Sequence, residues 1–367
     1  MKSKLKPFDY TLFTVVLIIF GLGLLMVLSA SSHLGMLSYK NPYYFFIRQL
    51  IFGVGGIAIM WFLSRWDYKF YKNYSGLIFL GAIFLLGLVL IPGVGTGDVR
   101  GAKRWINLKF FNLQPSEVAK LAVIIFLSAR IAMDPKRIKH FWKGLVVYLI
   151  CIGVIEGLLF LEPHYSAMGL IGIISVIILF VGGAKLSHFF ILGVPVLSLG
   201  AVGIIISKYR LNRIIGFLDP WADLRGSGWQ VVQSLYALGS GGIFGLGLGQ
   251  SKQKYSYLPD AHNDFILAIL GEELGLIGMI IVVVLFLILI WRGVVIATKA
   301  PDMFSGLLAT GITMLIAVQL LLNIAIITSW FPVTGMPVPF MSYGGTSMII
   351  FMASTGILLN ISRHIIK

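Results

Sequence analysis

The stretch "YLPDAHNDFILAILGEELGLIGMIIVVVLFLILIWR", residues 257–292, decides the fold class of this chain. Residues 264–292 form an apolar run that exceeds the roughly 20 helical residues needed to cross a hydrocarbon core about 30 Å thick. The run nevertheless follows Asp260, begins with Asp264 and carries Glu272 and Glu273. Acidic groups are costly within a membrane, so this pattern predicts a membrane protein that uses them for function.

The composition of the whole chain extends this conclusion. Of the 367 residues, 58% are hydrophobic and only 12% are charged, and the mean hydropathy is +0.94. A soluble domain carries about 25% charged residues. Apolar windows bounded by charge, Pro or Gly predict an all-α, polytopic membrane protein with about ten transmembrane helices, which we treat as one transmembrane domain over 1–367. The predicted spans are 11–30, 46–64, 75–92, 115–132, 144–161, 166–182, 187–206, 264–292, 304–327 and 340–361.

The distribution of Lys and Arg sets the orientation, because cytoplasmic loops of membrane proteins retain an excess of basic residues. With the N-terminus inside, sixteen of the 29 Lys and Arg residues fall in cytoplasmic segments. Both termini are therefore predicted to be cytoplasmic. The first apolar run could pass for a signal peptide, but its length favours an uncleaved span.

Three long or irregular connections lie on the predicted outer side: 93–114, 207–263 and 328–340. They are rich in Pro and Gly, which do not continue helices, and irregular backbone at membrane depth survives only within protein or beside a wet cavity. The sequence therefore predicts a polar cavity that opens to the outside.

Several charged residues lie in or at the rims of the predicted spans, and each is a candidate functional group. They are Arg48, Glu117, Lys120, Glu156, Asp264, Glu272 and Glu273. Glu117 and Lys120 are one helical turn apart, which predicts either a local ion pair or a lysine that reaches into the cavity. Asp264 is either a helix N-terminal carboxylate or a general base that reaches into the cavity. Glu272 and Glu273 are predicted to form hydrogen bonds between helices.

Other functions receive little support from the sequence. The net charge of +15 is spread over many loops and forms no groove or arm, so no nucleic-acid partner is predicted. The single Cys151 excludes an internal disulfide, and the His residues lack metal-ligand spacing. "LGSGGIFGLGLGQ" (238–250) lacks the GK[ST] of a phosphate loop; it either lines the cavity as flexible backbone or packs closely at the membrane surface.

Three motifs resemble the SEDS family (shape, elongation, division and sporulation), and the FtsW and SpoVE branch more than RodA. They are "RWINL…QPSEVAKLA" (104–122), "QSLYALGSGGIFGLGLGQSKQKYSYLPDAHNDFILAILGEELGLIG" (233–278) and "PVTGMPVPFMSYGGTSM" (332–348). The resemblance covers nearly the whole chain. It implies a multi-pass protein of the bacterial cytoplasmic membrane, a peptidoglycan glycosyltransferase that polymerises lipid II beside a class b penicillin-binding protein, with membrane lipid around it.

The resemblance also implies the roles of individual residues. Asp264 matches the family's essential catalytic aspartate, and Lys120 matches a lysine near it. Arg48 and Ser342 also match family residues expected to contact substrate. The expected chemistry, rather than the resemblance, adds Arg104, Glu117, Arg210 and Arg213 to the residues expected to contact substrate. One position departs from the family: His164 stands where an aspartate is usual, which puts any role carried over to that position in doubt.

The expected chemistry is a single displacement at the anomeric carbon of a lipid-linked diphosphate sugar. Asp264 would take the proton of the incoming 4-hydroxyl, and Lys120, Arg48, Arg104 and Arg210 or Arg213 would hold diphosphate oxygens. A divalent cation (Mg²⁺ or Mn²⁺) could assist, although no ligand set indicates one. Two alternatives stay open: a lipid II flippase, and a non-catalytic scaffold for the transpeptidase.

Overall fold

The computed structural model of the chain describes residues 7–97, 103–108, 111–189, 191, 193, 217–221, 226 and 228–365. Most of the predicted span 187–206 lies outside the described residues, as do Arg210 and Arg213. Of the outer loop predicted at 207–263, the structure describes residues 217–221, 226 and 228–263.

The described chain is predominantly α-helical, and nine of the ten predicted spans coincide with helices within it. Six helical segments are long and apolar enough to cross a membrane, which confirms a polytopic membrane protein. The helices are α1 (Tyr10–Tyr39), α2 (Tyr44–Leu63), α3 (Lys69–Asn73), α4 (Ser75–Leu90), α5 (Pro115–Met133), α6 (Val146–Leu161), α7 (Tyr165–Val181), α8 (Trp229–Gly241), α9 (Ile266–Thr298), α10 (Met303–Ile327) and α11 (Gly345–Ser362).

The connection between α4 and α5 contains a small antiparallel sheet, where the sequence indicated irregular structure. Its strands are β1 (Gly95–Gly97), β2 (Lys103–Asn107) and β3 (Asn112–Leu113), in the order β1-β2-β3. Ile106 of β2 is paired with Leu113 and is 7% exposed, so the sheet packs one apolar side chain inward. This sheet rests on the end of the helix bundle where α5 begins.

The ends of the described chain meet on one face of the bundle. The backbone N–H of Asp9 donates to Ser362 Oγ at 3.0 Å, and the Asp9 carboxylate pairs with Arg292 near the end of α9 at 2.5 Å. On the same face, Tyr68 Oη donates to Asp302 at 2.6 Å. The start of α1 and the end of α11 therefore share one side, which agrees with the prediction that both termini are cytoplasmic.

The helices differ in their distance from the lipid. In the apolar window of α11, 83% of the residues are buried by the protein, against 22% in that of α2. α11 is therefore a central helix, and α2 is largely peripheral. This explains why polar residues of α10 and α11 are packed inside the bundle.

Helix α9 is broken at Gly275, whose φ of 67° and ψ of −164° are not helical. The part after the break, 276–298, measures roughly 34 Å at 1.5 Å per residue and is long enough to span the membrane alone. The glycine-rich segment lies in the break: Leu246 N–H donates to Glu272 O at 3.0 Å, and Leu276 N–H to Gly242 O at 2.9 Å. A Cβ at Gly245 would lie 2.2 Å from Glu273 O. Of the two alternatives for 238–250, the structure therefore shows close packing.

Candidate functional site

The candidate site lies at the end of the bundle where α5 begins. Pro115 occupies the first turn of α5, where its fixed φ suits the helix and its missing N–H is not needed. Glu117 follows in the first turn, where the positive end of the helix dipole favours a carboxylate. Lys120 is then one turn deeper, and both side chains point into the protein.

Lys120 is a buried cation with protein partners. Its Nζ lies 2.7 Å from Glu117 Oε1 and 3.2 Å from Gln319 Oε1 of α10, and 5.7 Å from the centre of the Phe351 ring. The predicted ion pair between Glu117 and Lys120 is therefore present. Since Glu117 Oε2 is buried without a hydrogen-bond partner, the pair is incompletely satisfied within the protein.

Two amides of α10, Gln319 and Asn323, connect Lys120 to Asp264, and neither was among the predicted site residues. Gln319 accepts from Lys120 and donates to Pro337 O at 2.7 Å. Asn323, one turn later, donates to Asp264 O at 2.7 Å and to Met336 O at 2.9 Å. The only sequence signal is the i, i+4 spacing of two amides within an apolar helix.

Asp264 is half-buried at this same end of the bundle. Helix α9 begins at Ile266, and its N-cap is Phe265, so Asp264 precedes the cap position that one of the two alternatives required. Its backbone N–H donates to Asp260 O at 3.1 Å. A Cβ at Gly335, whose φ is +74°, would lie 3.4 Å from Asp264 Oδ2. The carboxylate thus lies beside Gly335, which has no side chain.

Arg48 and Ser342 lie beside this segment in different environments. Arg48 is exposed, with its guanidinium 4.8 Å from the centre of the Tyr44 ring. Ser342 is buried; its Oγ accepts from Val338 N–H at 2.7 Å, and its carbonyl accepts from Gln49 Nε2 at 2.9 Å. The Ser342 hydroxyl therefore closes the turn before α11, and its contact with substrate stays a prediction.

Tyr343 joins the Arg48 region to the segment that carries Asp264. Its backbone N–H donates to His262 O at 3.0 Å. The rings of Phe45 and His262 lie 4.7 Å apart, which packs the start of α2 against the same segment. Arg48 is thereby brought to the rim of the site.

Arg104 of β2 approaches the turn between α6 and α7. Its Nη2 donates to Pro163 O at 2.6 Å and its Nε to Glu162 O at 3.4 Å. His164 is buried in this turn, and burial, with smaller contributions from the charges of Arg104 and Lys120, lowers its pKa to about 3. Burial raises the pKa of Glu162 to about 8, and both its carboxyl oxygens lack hydrogen-bond partners. His164 is therefore a neutral side chain close to two cations.

Glu272 and Glu273 hold the loop that leads to Asp264. Glu272 accepts from Lys252 N–H at 2.9 Å and from the Ser251 hydroxyl. Glu273 accepts from Ser29 of α1 at 2.6 Å and pairs with Lys254 at 3.4 Å. The predicted bond between helices exists for Glu273, whereas the partners found for Glu272 belong to the loop.

The structure thus gathers Asp264, Lys120 and Glu117 around one turn of α10, with Arg48 and Arg104 on neighbouring elements. The set offers a half-buried carboxylate and a buried lysine that are held by the same turn of α10, which suits proton abstraction beside an anionic group. Within the described ranges, no group of three or more His, Cys, Asp or Glu side chains could hold a metal ion.

Known proteins resemble this chain over nearly its full length. The pattern of the FtsW/RodA/SpoVE family, described as cell cycle protein, matches residues 10–367. The chain is 42% identical to stage V sporulation protein E of Bacillus subtilis, covering 99% of each chain. It is also 42% identical to a probable peptidoglycan glycosyltransferase FtsW of Trichlorobacter lovleyi, covering 98% of this chain and 94% of the relative.

Two solved structures share the fold. A chain in a study of how a peptidoglycan synthase complex coordinates polymerization and crosslinking superposes with a TM-score of 0.80 at 25% identity, over 97% of this chain and 98% of the other. The rod shape determining protein RodA of Thermus thermophilus gives 0.72 at 22% identity, over 98% of each chain. The chain therefore belongs to the FtsW/RodA/SpoVE family of cell cycle proteins.

Proposed function

We propose that this protein is a peptidoglycan glycosyltransferase that polymerises lipid II at the outer face of the bacterial cytoplasmic membrane. The names of its FtsW relatives support the activity. The observation that carries the proposal is the half-buried Asp264 carboxylate at the end of the bundle opposite to the start of α1 and the end of α11. That end is the predicted outer side.

Asp264 acts as the general base in this mechanism. It takes the proton of the acceptor sugar's 4-hydroxyl as the oxygen attacks the anomeric carbon of the donor, and the bond from that carbon to the diphosphate breaks. Inversion by a single displacement needs one carboxylate on the acceptor side. Asn323 fixes the backbone carbonyl of Asp264 and thereby the position of the base.

Basic side chains stabilise the departing diphosphate. Lys120 is the best placed of them. Gln319 of α10 accepts a hydrogen bond from Lys120, and Asn323 of the same helix donates one to the backbone of Asp264. Arg48 and Arg104 on neighbouring elements supply further donors, a use for which guanidinium groups are well suited. Arg210 and Arg213, outside the described residues, stay candidates for holding the diphosphate. Glu117, and Ser342 through the family resemblance, stay candidates for substrate contact.

The residues present could hold a divalent cation only if the substrate phosphates supplied some of its ligands. Mg²⁺ is often bound through one or two carboxylates together with substrate phosphates. Such a cation would neutralise charge on the leaving diphosphate. This requirement stays a prediction.

The partner is proposed to be a class b penicillin-binding protein that crosslinks the new glycan strands. Its support is the likeness to a chain from a complex whose described activities are polymerization and crosslinking. A transpeptidase beside a polymerase would act on the strand as it leaves the outer site.

The test is polymerisation of fluorescent lipid II by purified protein, alone and with a co-purified penicillin-binding protein. We expect Asp264→Asn to abolish glycan ladders. Asp260→Asn is the matched control, because Asp260 is exposed, lies four residues away, and has a φ of 54° that Asn also tolerates. Ladders at the wild-type level from Asp264→Asn would remove the carboxylate from the mechanism. Lipid scrambling by a protein that makes no polymer would favour a flippase.

A further inference from the structure

A basic pocket lies at the far end of α5 from the candidate site. Its volume is about 650 Å³, and we call it the inner pocket; its lining residues are Asp134, Lys136, Arg137, His140, Trp142, Lys143 and Val147. Helix α5 begins at the site and runs about 28 Å to Met133, at 1.5 Å per residue. The inner pocket is therefore on the opposite, predicted cytoplasmic, side of the membrane.

The pocket is built on a tightly folded connection. Ile138 is completely buried beneath it, in a 3-10 turn at Arg137–Lys139. The following π-helical turn, Phe141–Leu145, approaches this first turn so closely that a Cβ at Gly144 would lie 1.9 Å from Arg137 O. Arg137 Nε donates to Lys143 O at 2.6 Å, which fixes the guanidinium. The basic groups are therefore held on ordered backbone.

The charge of the inner pocket is unbalanced. Lys136, Arg137 and Lys143 are exposed, and within the described part of the chain none of them forms an ion pair with a carboxylate. The one acidic residue of the lining, Asp134, accepts a hydrogen bond from Arg137 N–H at 3.2 Å and so caps the turn. The pocket is shallow and open, but its guanidinium is fixed by the Arg137–Lys143 hydrogen bond, which retention of positive charge on the cytoplasmic side does not require.

Apolar side chains flank the charged groups. Trp142 is 77% exposed, and Met133 at the end of α5 and Ile150 in α6 are 51% and 62% exposed. Tryptophan is favoured where the headgroup layer meets the acyl chains. A ligand that is anionic at one end and apolar at the other would satisfy both parts of this surface.

We propose that the inner pocket binds the phosphodiester headgroup of an anionic glycerophospholipid in the cytoplasmic leaflet. Lys136, Arg137 and Lys143 hold the phosphate oxygens, and the acyl chains lie along the apolar residues beside them. Basic residues immediately cytoplasmic of a transmembrane helix attract anionic lipid headgroups. The site is separate from the proposed reaction on the other face.

The experiment measures retention of phosphatidylglycerol by the purified full-length protein, using native mass spectrometry across a lipid titration, with phosphatidylcholine as the neutral comparison. The pocket variant is Lys136→Gln/Lys143→Gln. The matched control is Lys69→Gln/Lys299→Gln, which removes two exposed lysines from the same face outside the pocket. Since each basic residue near an anionic surface contributes on the order of a fivefold change in affinity, we expect a loss of about that size for each pocket lysine.

The outcomes separate the proposal from its rivals. Selective retention of phosphatidylglycerol that falls in the pocket variant and persists in the control would support it. Equal retention of phosphatidylcholine, equal losses in the two variants, or unchanged binding in the pocket variant would overturn it. Displacement of the lipid by millimolar inorganic phosphate would show a site for free anions, which also contradicts a lipid site.

Discussion

Gln319 and Asn323 lie one turn apart on α10, and the first accepts a hydrogen bond from Lys120 while the second donates to the backbone of Asp264. One helical turn therefore sets the position of the proposed base relative to the nearest buried cation. Asn323 is fully buried and also donates to Met336 O at 2.9 Å, in the loop before α11. The same amide thus connects the two segments that face the site.

Replacing Asn323 should impair both catalysis and folding. Asn323→Ala leaves the buried carbonyl of Met336 and the part-buried carbonyl of Asp264 without their donor, at a cost of about 1–3 kcal/mol in the free energy of unfolding. Because displacement of a catalytic group by about 1 Å can cost 10²-fold in rate, we expect kcat of lipid II polymerisation to fall by roughly that factor. Leu321→Ala, at a 63% exposed position of the same helix, is the control. A variant with a normal rate would show that Asn323 does not position the base.

The ion pair between Glu117 and Lys120 can be separated into structural and functional parts. Glu117→Gln should destabilise the protein by about 3–5 kcal/mol, because it leaves the buried Lys120 without its countercharge. The double variant Glu117→Gln/Lys120→Met should recover most of that loss in thermal melting yet remain inactive in polymerisation. Recovery of both stability and activity would limit Lys120 to a structural role.

The sequence predicted the spans well because each span is encoded locally by some twenty apolar residues. It did not predict the break at Gly275, since glycine within such a run is compatible with a continuous helix; the break depends on the distant segment 242–247 pairing with it. Gln319 and Asn323 were missed for the same reason, because their partners lie far away in sequence. Asp264, Lys120 and Arg48 were found because charge is rare in a membrane, whereas Ser342 was assigned to the site through family resemblance.

Lys254 should stabilise the loop that precedes Asp264. It is buried and contacts Glu273 and Ser29, both at 3.4 Å, so Lys254→Met leaves Glu273 as an uncompensated buried charge. We expect a loss of about 3–5 kcal/mol and faster proteolysis within 251–260. Lys252→Met is the control, because the Lys252 side chain is exposed and only its backbone N–H binds Glu272. Equal behaviour of the two variants would contradict this role.

The turn between α6 and α7 should make stability depend on pH in two opposite ways. The folded-state pKa of His164 is about 3 against 6.5 when unfolded, so stability is lost as pH falls below 6.5. The pKa of Glu162 is raised from 4.5 to about 8, so the folded state binds the extra proton and stability is lost as pH rises through that interval. When the melting temperature is measured as a function of pH, His164→Gln should reduce its fall at acidic pH, and Glu162→Gln should reduce its fall at alkaline pH. If Glu162→Gln showed the same pH dependence of stability as the wild type, the Glu162 carboxyl would not be buried in its neutral form.

Gly335 should matter for catalysis because it leaves space beside the proposed base. A methyl group there would lie 3.4 Å from Asp264 Oδ2. We expect the acceptor hydroxyl to approach the carboxylate through this volume. Gly335→Ala also forces alanine into a φ of +74°, at a cost of about 1 kcal/mol.

Gly93→Ala is the control for backbone strain without crowding. Gly93 has a φ of +91°, and no atom lies within 4 Å of the methyl group that alanine would add. Both variants should lose similar stability in thermal melting. Only Gly335→Ala should reduce kcat of lipid II polymerisation, by about tenfold if the added methyl costs the transition state about 1.4 kcal/mol. Equal rates for the two alanine variants would mean that the acceptor does not approach Asp264 past Gly335.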